Sequence, residues 1–182
     1  MSIVANRYAE AFFSLSLDKN VLEQNKNELN TVKSIFAEVS NLKEFFSSKR
    51  VSKNDKKEII KNSLGNKVSK DTLNFLLLLV DKSRIDYLED IIDDYIHLAN
   101  DELNIKEGVI ESVRPLPIEK IKELEEALSK DGQKVELKQK INKALISGFK
   151  IKFANEIIDA SMKEKIDKMQ ELISRKGGQS WN

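Results

Sequence analysis

The sequence lacks several side chains that catalytic and metal sites commonly use. It contains no cysteine, so disulfides and thiolate zinc sites cannot form. His97 is the only histidine, which excludes catalytic schemes that need two histidines or a histidine with a cysteine. His97 lies between Ile96 and Leu98 on a predicted helix, and we interpret it as a surface or hydrogen-bonded histidine rather than a metal ligand.

Nucleotide-binding loops and an excess of positive charge are also missing. Neither the Gly-x-x-x-x-Gly-Lys-[Ser/Thr] loop nor the Gly-x-Gly-x-x-Gly fingerprint occurs in the chain. The 31 basic and 30 acidic side chains leave a formal net charge of +1, which argues against binding to nucleic-acid phosphates. The basic stretch 49–61 is interrupted by Asp55 and Glu58, and we interpret it as a solvated helix face. We therefore expect no cofactor.

No apolar run is long enough to cross a membrane. The run Phe75–Val80 has six apolar residues, whereas a spanning helix needs about 20. Arg7 and Glu10 fall within what would be the apolar region of a signal peptide, so the N-terminus does not resemble a secretory signal. We expect a soluble protein on the cytoplasmic side.

The run Phe75–Val80 predicts a helix that other helices cover on most sides, because a helix that is apolar all round must be buried. Ser69 and Asp71 are suited to begin this helix, and Ser52 with Asp55 to begin the preceding one, since these side chains favour helix N-termini. Apolar spacing predicts further helices over residues 3–17, 22–39, 42–46 and 85–103.

The first predicted helix carries two apolar rows, one of which can serve the core while the other is available for a partner. The rows are Val4, Tyr8, Phe12 and Leu15, and Ala5, Ala9, Phe13 and Leu17.

After Lys106 the apolar period changes from about 3.6 residues to two, which is typical of strands. Strands are predicted at residues 108–113, around Val135 and Leu137, at residues 149–153 and at Ile157-Ile158. A helical stripe covers residues 118–128. A capping box of Ser161 and Glu164 predicts a last helix, whose apolar residues are Met162, Ile166, Met169 and Ile173.

The predicted fold class is therefore α+β. Residues 1–105 form an N-terminal all-α six-helix bundle with short connections. Residues 106–176 form a small α/β domain with a short sheet and two helices, and residues 177–182 form a flexible tail.

The densest acidic cluster has two interpretations. Glu89 and Asp93 share a helix face at i, i+4, and with Asp90 and Asp94 they could hold a hard cation. Alternatively, they are acids near a helix N-terminus with lysine or arginine from neighbouring helices close by. We favour the second interpretation and expect no metal site.

Three blocks of sequence, taken in order, resemble the delta-subunit family of F-type ATP synthases, whose mitochondrial counterpart is the oligomycin-sensitivity-conferring protein. The blocks are ANRYAEAFFSL, NFLLLLVDKSRIDYLEDI and VELKQKINKALISGFKIKFANEIIDASMKEKI. The resemblance implies a six-helix bundle followed by a small α/β domain, in agreement with the change of period. It also implies a non-catalytic stator subunit, which links the catalytic head to the peripheral stalk so that rotation is coupled to ATP synthesis.

The resemblance further implies a specific docking site. In the family, the bundle receives the N-terminal helix of a head alpha subunit between its first and fifth helices, and the C-terminal domain contacts the b subunit of the stalk. Ala5 and Ala9 would let a partner backbone approach, and Tyr8 would combine apolar area with a polar tip. Carried onto this chain, the groove residues are Ala5, Tyr8, Ala9, Phe12, Asn74, Leu77, Leu78 and Asp81.

Some of these residues have a competing interpretation as ordinary bundle core, above all Phe12 and Leu77. Within the apolar run, Leu78 is expected to face a partner because Asn74 and Asp81 flank it along its row. The expected core residues of the same helix are Phe75, Leu76, Leu79 and Val80.

Because the sequence opens directly into the first block, we expect a bacterial protein, held peripherally at the cytoplasmic face of the inner membrane through its complex. Two other classes of function stay open on the residues alone. One is a helical protein-binding adaptor unrelated to the synthase. The other is an enzyme, which a tightly retained metal or nucleotide turnover by the purified protein would support.

Overall fold

The computed structural model describes residues 2–39, 41–129 and 132–159. The chain divides into two compact units, Met1–Leu103 and Asn104–Asn182. The described part of the first unit is helical and that of the second contains a sheet and a helix, which confirms the α+β fold class. The predicted last helix, from Ser161 to Ile173, and the predicted tail 177–182 lie outside the described residues.

Among the described residues, six α-helices precede the first strand, and a 3-10 turn at Ile85–Tyr87 separates the last two. Their bounds are α1 Ile3–Asp18, α2 Leu22–Glu38, α3 Leu42–Ser47, α4 Lys53–Leu64, α5 Lys70–Asp81 and α6 Leu88–Glu102.

The predicted starts of α4 and α5 are confirmed by their capping hydrogen bonds. The Ser52 hydroxyl accepts a hydrogen bond from the Asp55 backbone N–H at 3.1 Å. The Ser69 hydroxyl accepts one from the Thr72 backbone N–H at 3.3 Å. Each serine satisfies one of the N–H groups that a helix leaves free in its first turn.

All six helices and the 3-10 turn contribute buried side chains to the core of the first unit. On α5, Leu76 and Leu79 are completely buried and Phe75 and Val80 nearly so, which confirms the expected core residues of this helix. The core also contains a polar cluster. The Tyr95 hydroxyl donates to Ser16 Oγ at 2.8 Å, and Asn25 Nδ2 donates to the same oxygen at 2.8 Å. Buried polar groups of this kind must be paired, because an unpaired one costs about 1–3 kcal/mol.

The described part of the second unit contains a four-stranded mixed sheet with the strand order β2-β1-β3-β4. β1 and β2 pair in parallel, whereas β3 pairs antiparallel with both β1 and β4. The single described helix, α7, connects the parallel pair, as a parallel connection requires a crossover. The bounds are β1 Ile105–Ser112, α7 Ile118–Leu128, β2 Lys134–Ile141, β3 Phe149–Lys152 and β4 Ile157–Asp159.

α7 packs its half-buried residues against one face of this sheet, over the buried side chains of Ile110, Leu137 and Ile151. Gly108 allows the close packing at this point. A Cβ atom there would lie 2.7 Å from the Phe153 ring and 2.9 Å from a Leu137 methyl group, which is closer than packed carbon atoms approach. The strand predicted at residues 108–113 is present as β1, but it begins three residues earlier, at Ile105.

Candidate helix-binding groove between α1 and α5

Helices α1 and α5 run antiparallel where they pack together. At the C-terminus of α1, Lys19 Nζ lies 2.7 Å from a carboxylate oxygen of Asp71, in the first turn of α5. Near the middle of both helices, the rings of Phe12 and Phe75 stack with their centroids 4.3 Å apart. The N-terminal half of α1 therefore lies beside the C-terminal half of α5.

A groove of about 500 Å³ opens between these two halves. We call it the α1–α5 groove. Most of its lining is apolar, and two arginines complete it. The lining residues are Ile3, Val4, Arg7, Tyr8, Ala11, Phe12, Leu15, Phe75, Leu78 and Arg84.

Three of the predicted groove residues, Tyr8, Phe12 and Leu78, line this groove. The side chain of Leu78 is 42% exposed, within a helix whose other leucines are mostly covered. Its exposure was expected from the polar residues that flank it, and the structure confirms that exposure. Leu78 forms a continuous apolar surface with the rest of the lining, and exposed apolar surfaces of this kind are common at protein-binding sites.

The structure places Ala5 and Ala9 in the core instead of the groove, with no exposed surface. They share a buried face of α1 with Phe12 and Ser16, at helical spacings of three and four residues. Their small side chains therefore allow close packing within the unit rather than the approach of a partner backbone.

The other three predicted residues lie on α5 but outside the groove lining. Asn74 is exposed, and Leu77 is half-buried against the core. Asp81 is exposed and forms an ion pair with Lys57 on α4. At 100° per residue, Phe75 lies about 60° to one side of Leu78, whereas Asn74 and Asp81 lie about 40° and 60° to its other side, so they flank the groove without lining it.

The sequence prediction omitted several lining residues. Val4, Ala11 and Leu15 continue the row of Tyr8 along α1, and the row of Val4, Tyr8, Phe12 and Leu15 was visible in the apolar spacing. Arg7 and Arg84 are charged, so the apolar spacing gave no indication that they line the groove. Arg84 lies beyond the end of α5, and only the path of the chain after that helix brings it to the groove.

The chain turns at the end of α5 through a Schellman motif. Ser83 has a positive φ of 55°, and its N–H donates to the Val80 carbonyl at 3.0 Å. The Arg84 N–H donates to the Leu79 carbonyl at 2.7 Å. These two bonds satisfy carbonyl groups that the helix end leaves free, and they hold the backbone of Arg84 against α5.

The floor of the groove rests on the buried polar cluster. The Phe12 ring lies 5.3 Å from the Tyr95 ring, measured between centroids, and Tyr95 is in turn hydrogen-bonded to Ser16. Burial raises the pKa of Tyr95 above its ordinary value of 10.0, against the opposing effect of hydrogen bonds with Ser16 and Asn25. The hydroxyl therefore stays protonated and keeps donating its hydrogen bond at neutral pH.

Two of the four acids in the cluster on α6 form ion pairs with neighbouring helices, as the favoured interpretation predicted. Glu89 Oε2 lies 2.9 Å from Lys43 Nζ on α3, and Asp93 pairs with Lys33 on α2. Within residues 2–39, 41–129 and 132–159, no three histidine, aspartate or glutamate side chains come together in a way that could hold a metal ion.

Across the same residues, none of the helices combines the length and the apolar character that crossing a membrane requires.

Comparisons with known proteins agree with the resemblance over almost the whole chain. A model of the ATP synthase delta (OSCP) subunit family matches residues 4–173. The ATP synthase subunit delta of Clostridioides difficile (strain 630) is 38% identical over 178 residues, covering 96% of this chain and 97% of the relative. The subunit of the same name from Bacillus cereus (strain G9842) is 35% identical over 175 residues, covering 95% of this chain and 97% of the relative.

The fold is also similar to that of a solved structure. A chain in the cryo-EM structure of the Toxoplasma gondii mitochondrial ATP synthase hexamer aligns with a TM-score of 0.65 and 22% identity, covering 94% of this chain and 98% of that chain. At this identity the likeness concerns the fold. The family model and the bacterial relatives, each extending over nearly the full chain, decide the assignment: the chain belongs to the ATP synthase delta (OSCP) subunit family.

Proposed function

We propose that this chain is held on the catalytic head of the ATP synthase by the α1–α5 groove, which receives an apolar helix from the N-terminus of the alpha subunit. As a member of its family, the chain is a non-catalytic stator subunit of the synthase. A stator must resist the torque of a turning rotor, so it needs slow dissociation from its partners and no chemistry of its own. Burial of a partner helix in a groove can supply that slow dissociation.

The observation that carries the proposal is the apolar lining of the groove beside the exposed Leu78. Grooves of this kind accept amphipathic helices, whose apolar side chains recur at i, i+3 or i+4 and i+7. The stacked rings of Phe12 and Phe75 at the floor offer a firm surface for such anchors. The docking platform in this proposal is the six-helix bundle expected from the resemblance, with α1 to α6 as its members.

The test is a calorimetric titration of the alpha-subunit N-terminal peptide, taken from the same organism, into the full chain. Leu78→Asp introduces a charge into the apolar lining, and Tyr8→Ala removes contact area. We expect each variant to weaken binding by at least about tenfold, or about 1.4 kcal/mol, as central interface residues do.

Val39→Asp is the matched control for these variants. Val39 is 48% exposed, similar to Leu78, and it belongs to the same unit but does not line the groove. This variant should bind the peptide as the unmodified chain does. The proposal is wrong if the unmodified chain fails to bind, or if Leu78→Asp and Tyr8→Ala bind with unchanged affinity.

For the second unit, we propose contact with the b subunit of the peripheral stalk. Its described surface carries four exposed isoleucines that a partner could cover. These are Ile118, Ile141, Ile146 and Ile157, with exposed fractions of 69%, 42%, 65% and 59%. Such contacts would place the protein peripherally at the cytoplasmic face of the bacterial inner membrane, through its complex only.

Truncation separates the two proposed contacts. A chain that ends at Leu103 should retain binding to the alpha peptide and lose binding to the cytoplasmic part of the b subunit, measured by co-purification. Stalk binding that survives removal of the second unit would refute its assignment. Circular dichroism of the truncated chain checks that its helices remain formed.

A further inference from the structure

We propose that Arg7 and Arg84 select a partner helix that carries carboxylates at one end, and that this selection sets the direction in which the helix lies in the α1–α5 groove. The inference rests on the proposed helix-binding function of the groove. It adds a charge requirement and a polarity that the apolar lining by itself does not supply.

The two ends of the groove differ in charge. At the end beside Leu15, the cation of Lys19 is already neutralised by Asp71, 2.7 Å away. At the other end lie Arg7, near the start of α1, and Arg84, just after α5, because the two helices run antiparallel. Positive charge is therefore concentrated at one end of an otherwise apolar surface.

The arginines are not neutralised by the described part of the chain. Neither guanidinium forms an ion pair there, and Arg84 has only the Tyr87 ring beneath it, 6.0 Å from the ring centroid. Asp81, the acid at the end of α5, is paired with Lys57, and Lys53 Nζ donates to the Asp81 carbonyl at 2.5 Å. Glu10 lies one turn beyond Arg7 on α1 but does not line the groove.

An apolar groove discriminates poorly between the two directions in which a helix can lie, since a row of anchors at i, i+4 and i+7 has nearly the same spacing when the helix is reversed. A charged end distinguishes the two directions. Arginine suits this role because its planar guanidinium can form two parallel hydrogen bonds with one carboxylate. The bound helix should therefore place its carboxylate-bearing end beside Arg7 and Arg84.

Three synthetic helical peptides of about 20 residues, a length at which isolated helices begin to be stable, test the inference. They share one apolar face and carry a nitroxide label at the N-terminus. The first has two glutamates in its first turn, the second has them in its last turn, and the third has glutamine at both places. Each is added to the full chain, whose methyl groups are observed by NMR.

The first peptide should broaden the methyl signals of Val4 and Leu78, at the arginine end of the groove. The second should lie in the opposite direction and broaden Leu15 instead. The glutamine peptide should bind about three- to tenfold more weakly than the glutamate peptides, because two exposed charge pairs contribute modestly to affinity. It should broaden methyl signals at both ends of the groove, because it has no charge that selects one direction.

Charge exchange provides the second arm of the test. A chain with both Arg7→Glu and Arg84→Glu should lose its preference for the glutamate peptides and prefer matched peptides with lysine. Arg50→Glu, at an exposed arginine of the same unit that does not line the groove, is the control and should leave the preference unchanged. Circular dichroism of each variant establishes that the fold is retained.

The outcomes distinguish this inference from the function on which it rests. If the alpha peptide binds and Leu78→Asp abolishes binding, but the arginine variants leave affinity and direction unchanged, the charge inference is overturned and the groove proposal stands. If none of the synthetic helices binds and the alpha peptide does not bind either, both are overturned. Label positions that do not follow the glutamates also overturn the inference.

Discussion

Helices α5 and α7 have similar lengths, but α5 contains a continuous apolar run whereas α7 carries a narrow apolar stripe, and they are buried to very different depths. α5 has five buried residues, including the fully covered Leu76 and Leu79. None of the side chains of α7 is buried in the described structure, and Leu124 and Leu128 are only partly covered. α5 contacts α2 and α4 and stacks Phe75 on α1, whereas α7 packs against the sheet on one side. Depth of burial thus follows both the width of the apolar surface on the helix and the number of elements that surround it.

The largest expected effect compares leucines in the two helices. Leu79→Ala should lower the free energy of unfolding by about 2–5 kcal/mol, because it leaves a cavity in a closely packed core. Leu124→Ala should cost about half as much, since the leucine is partly exposed before the change. Urea unfolding of the full chain, followed by circular dichroism and amide exchange, measures both.

Leu78→Ala supplies the control within α5. Leu78 is 42% exposed, so its truncation should change stability by less than about 1 kcal/mol, in spite of its position next to Leu79. Equal costs for Leu79→Ala and Leu124→Ala would contradict the difference in burial described for the two helices.

An intermediate effect is expected from the polar cluster beneath the groove. Tyr95→Phe removes the hydroxyl that donates to Ser16 Oγ at 2.8 Å, and it should cost about 1 kcal/mol of stability. Tyr8→Phe is the control, because the Tyr8 hydroxyl forms no hydrogen bond with the described residues. If thermal unfolding shows the same midpoint for both variants, the Tyr95 hydroxyl does not stabilise the unit.

The smallest effect concerns acid stability and compares one carboxylate from each unit. Burial would raise the pKa of Glu28, but hydrogen bonds from Thr72, Gln24 and Ser69 outweigh it and lower the pKa from its ordinary value of 4.5. The hydrogen bonds from Lys152 and Asn142 lower the pKa of Glu111, although burial opposes them.

Because both pKa values are lowered in the folded state, each carboxylate stabilises the protein above its unfolded pKa, near 4.5, and the stabilisation is lost as the pH falls through the folded pKa. Glu28→Gln and Glu111→Gln should therefore reduce stability at neutral pH and flatten its dependence on pH below about 4.5. Unfolding by urea at a series of pH values measures the slope. A steeper slope in either variant would contradict the direction of its pKa shift.

Much of the fold could be predicted from local pattern. The starts of α4 and α5 were predictable from Ser52 and Ser69. Each serine hydroxyl accepts a hydrogen bond from a backbone N–H only three residues later, so the signal lies within the local sequence. The change of apolar period after Lys106 predicted the strands because the alternation of apolar and polar residues is also visible in the local sequence. The start of β1 was placed too late because residues 105–107 gain their strand conformation from pairing with β2, which the local sequence does not show.

The groove was predicted only in part. Tyr8, Phe12 and Leu78 were assigned from the resemblance and line the groove, whereas Ala5 and Ala9 turned out to be core residues. Two neighbouring rows of an amphipathic helix differ by about 100° of rotation, and the apolar pattern is compatible with either row facing inward. The packing of α1 against α6 and α5 decides between them.

The sequence by itself determined that the chain is a two-part α+β protein, and it carried the family blocks, because helix periodicity, capping and strand alternation are local properties. Tertiary structure alone decided that the buried alanines close the core, that Asp81 pairs with Lys57, and that Arg7 and Arg84 share one end of the groove. The physical reason is separation along the chain. Arg7 and Arg84 come together only because α1 and α5 pack antiparallel and the turn at Ser83 brings the chain back to them.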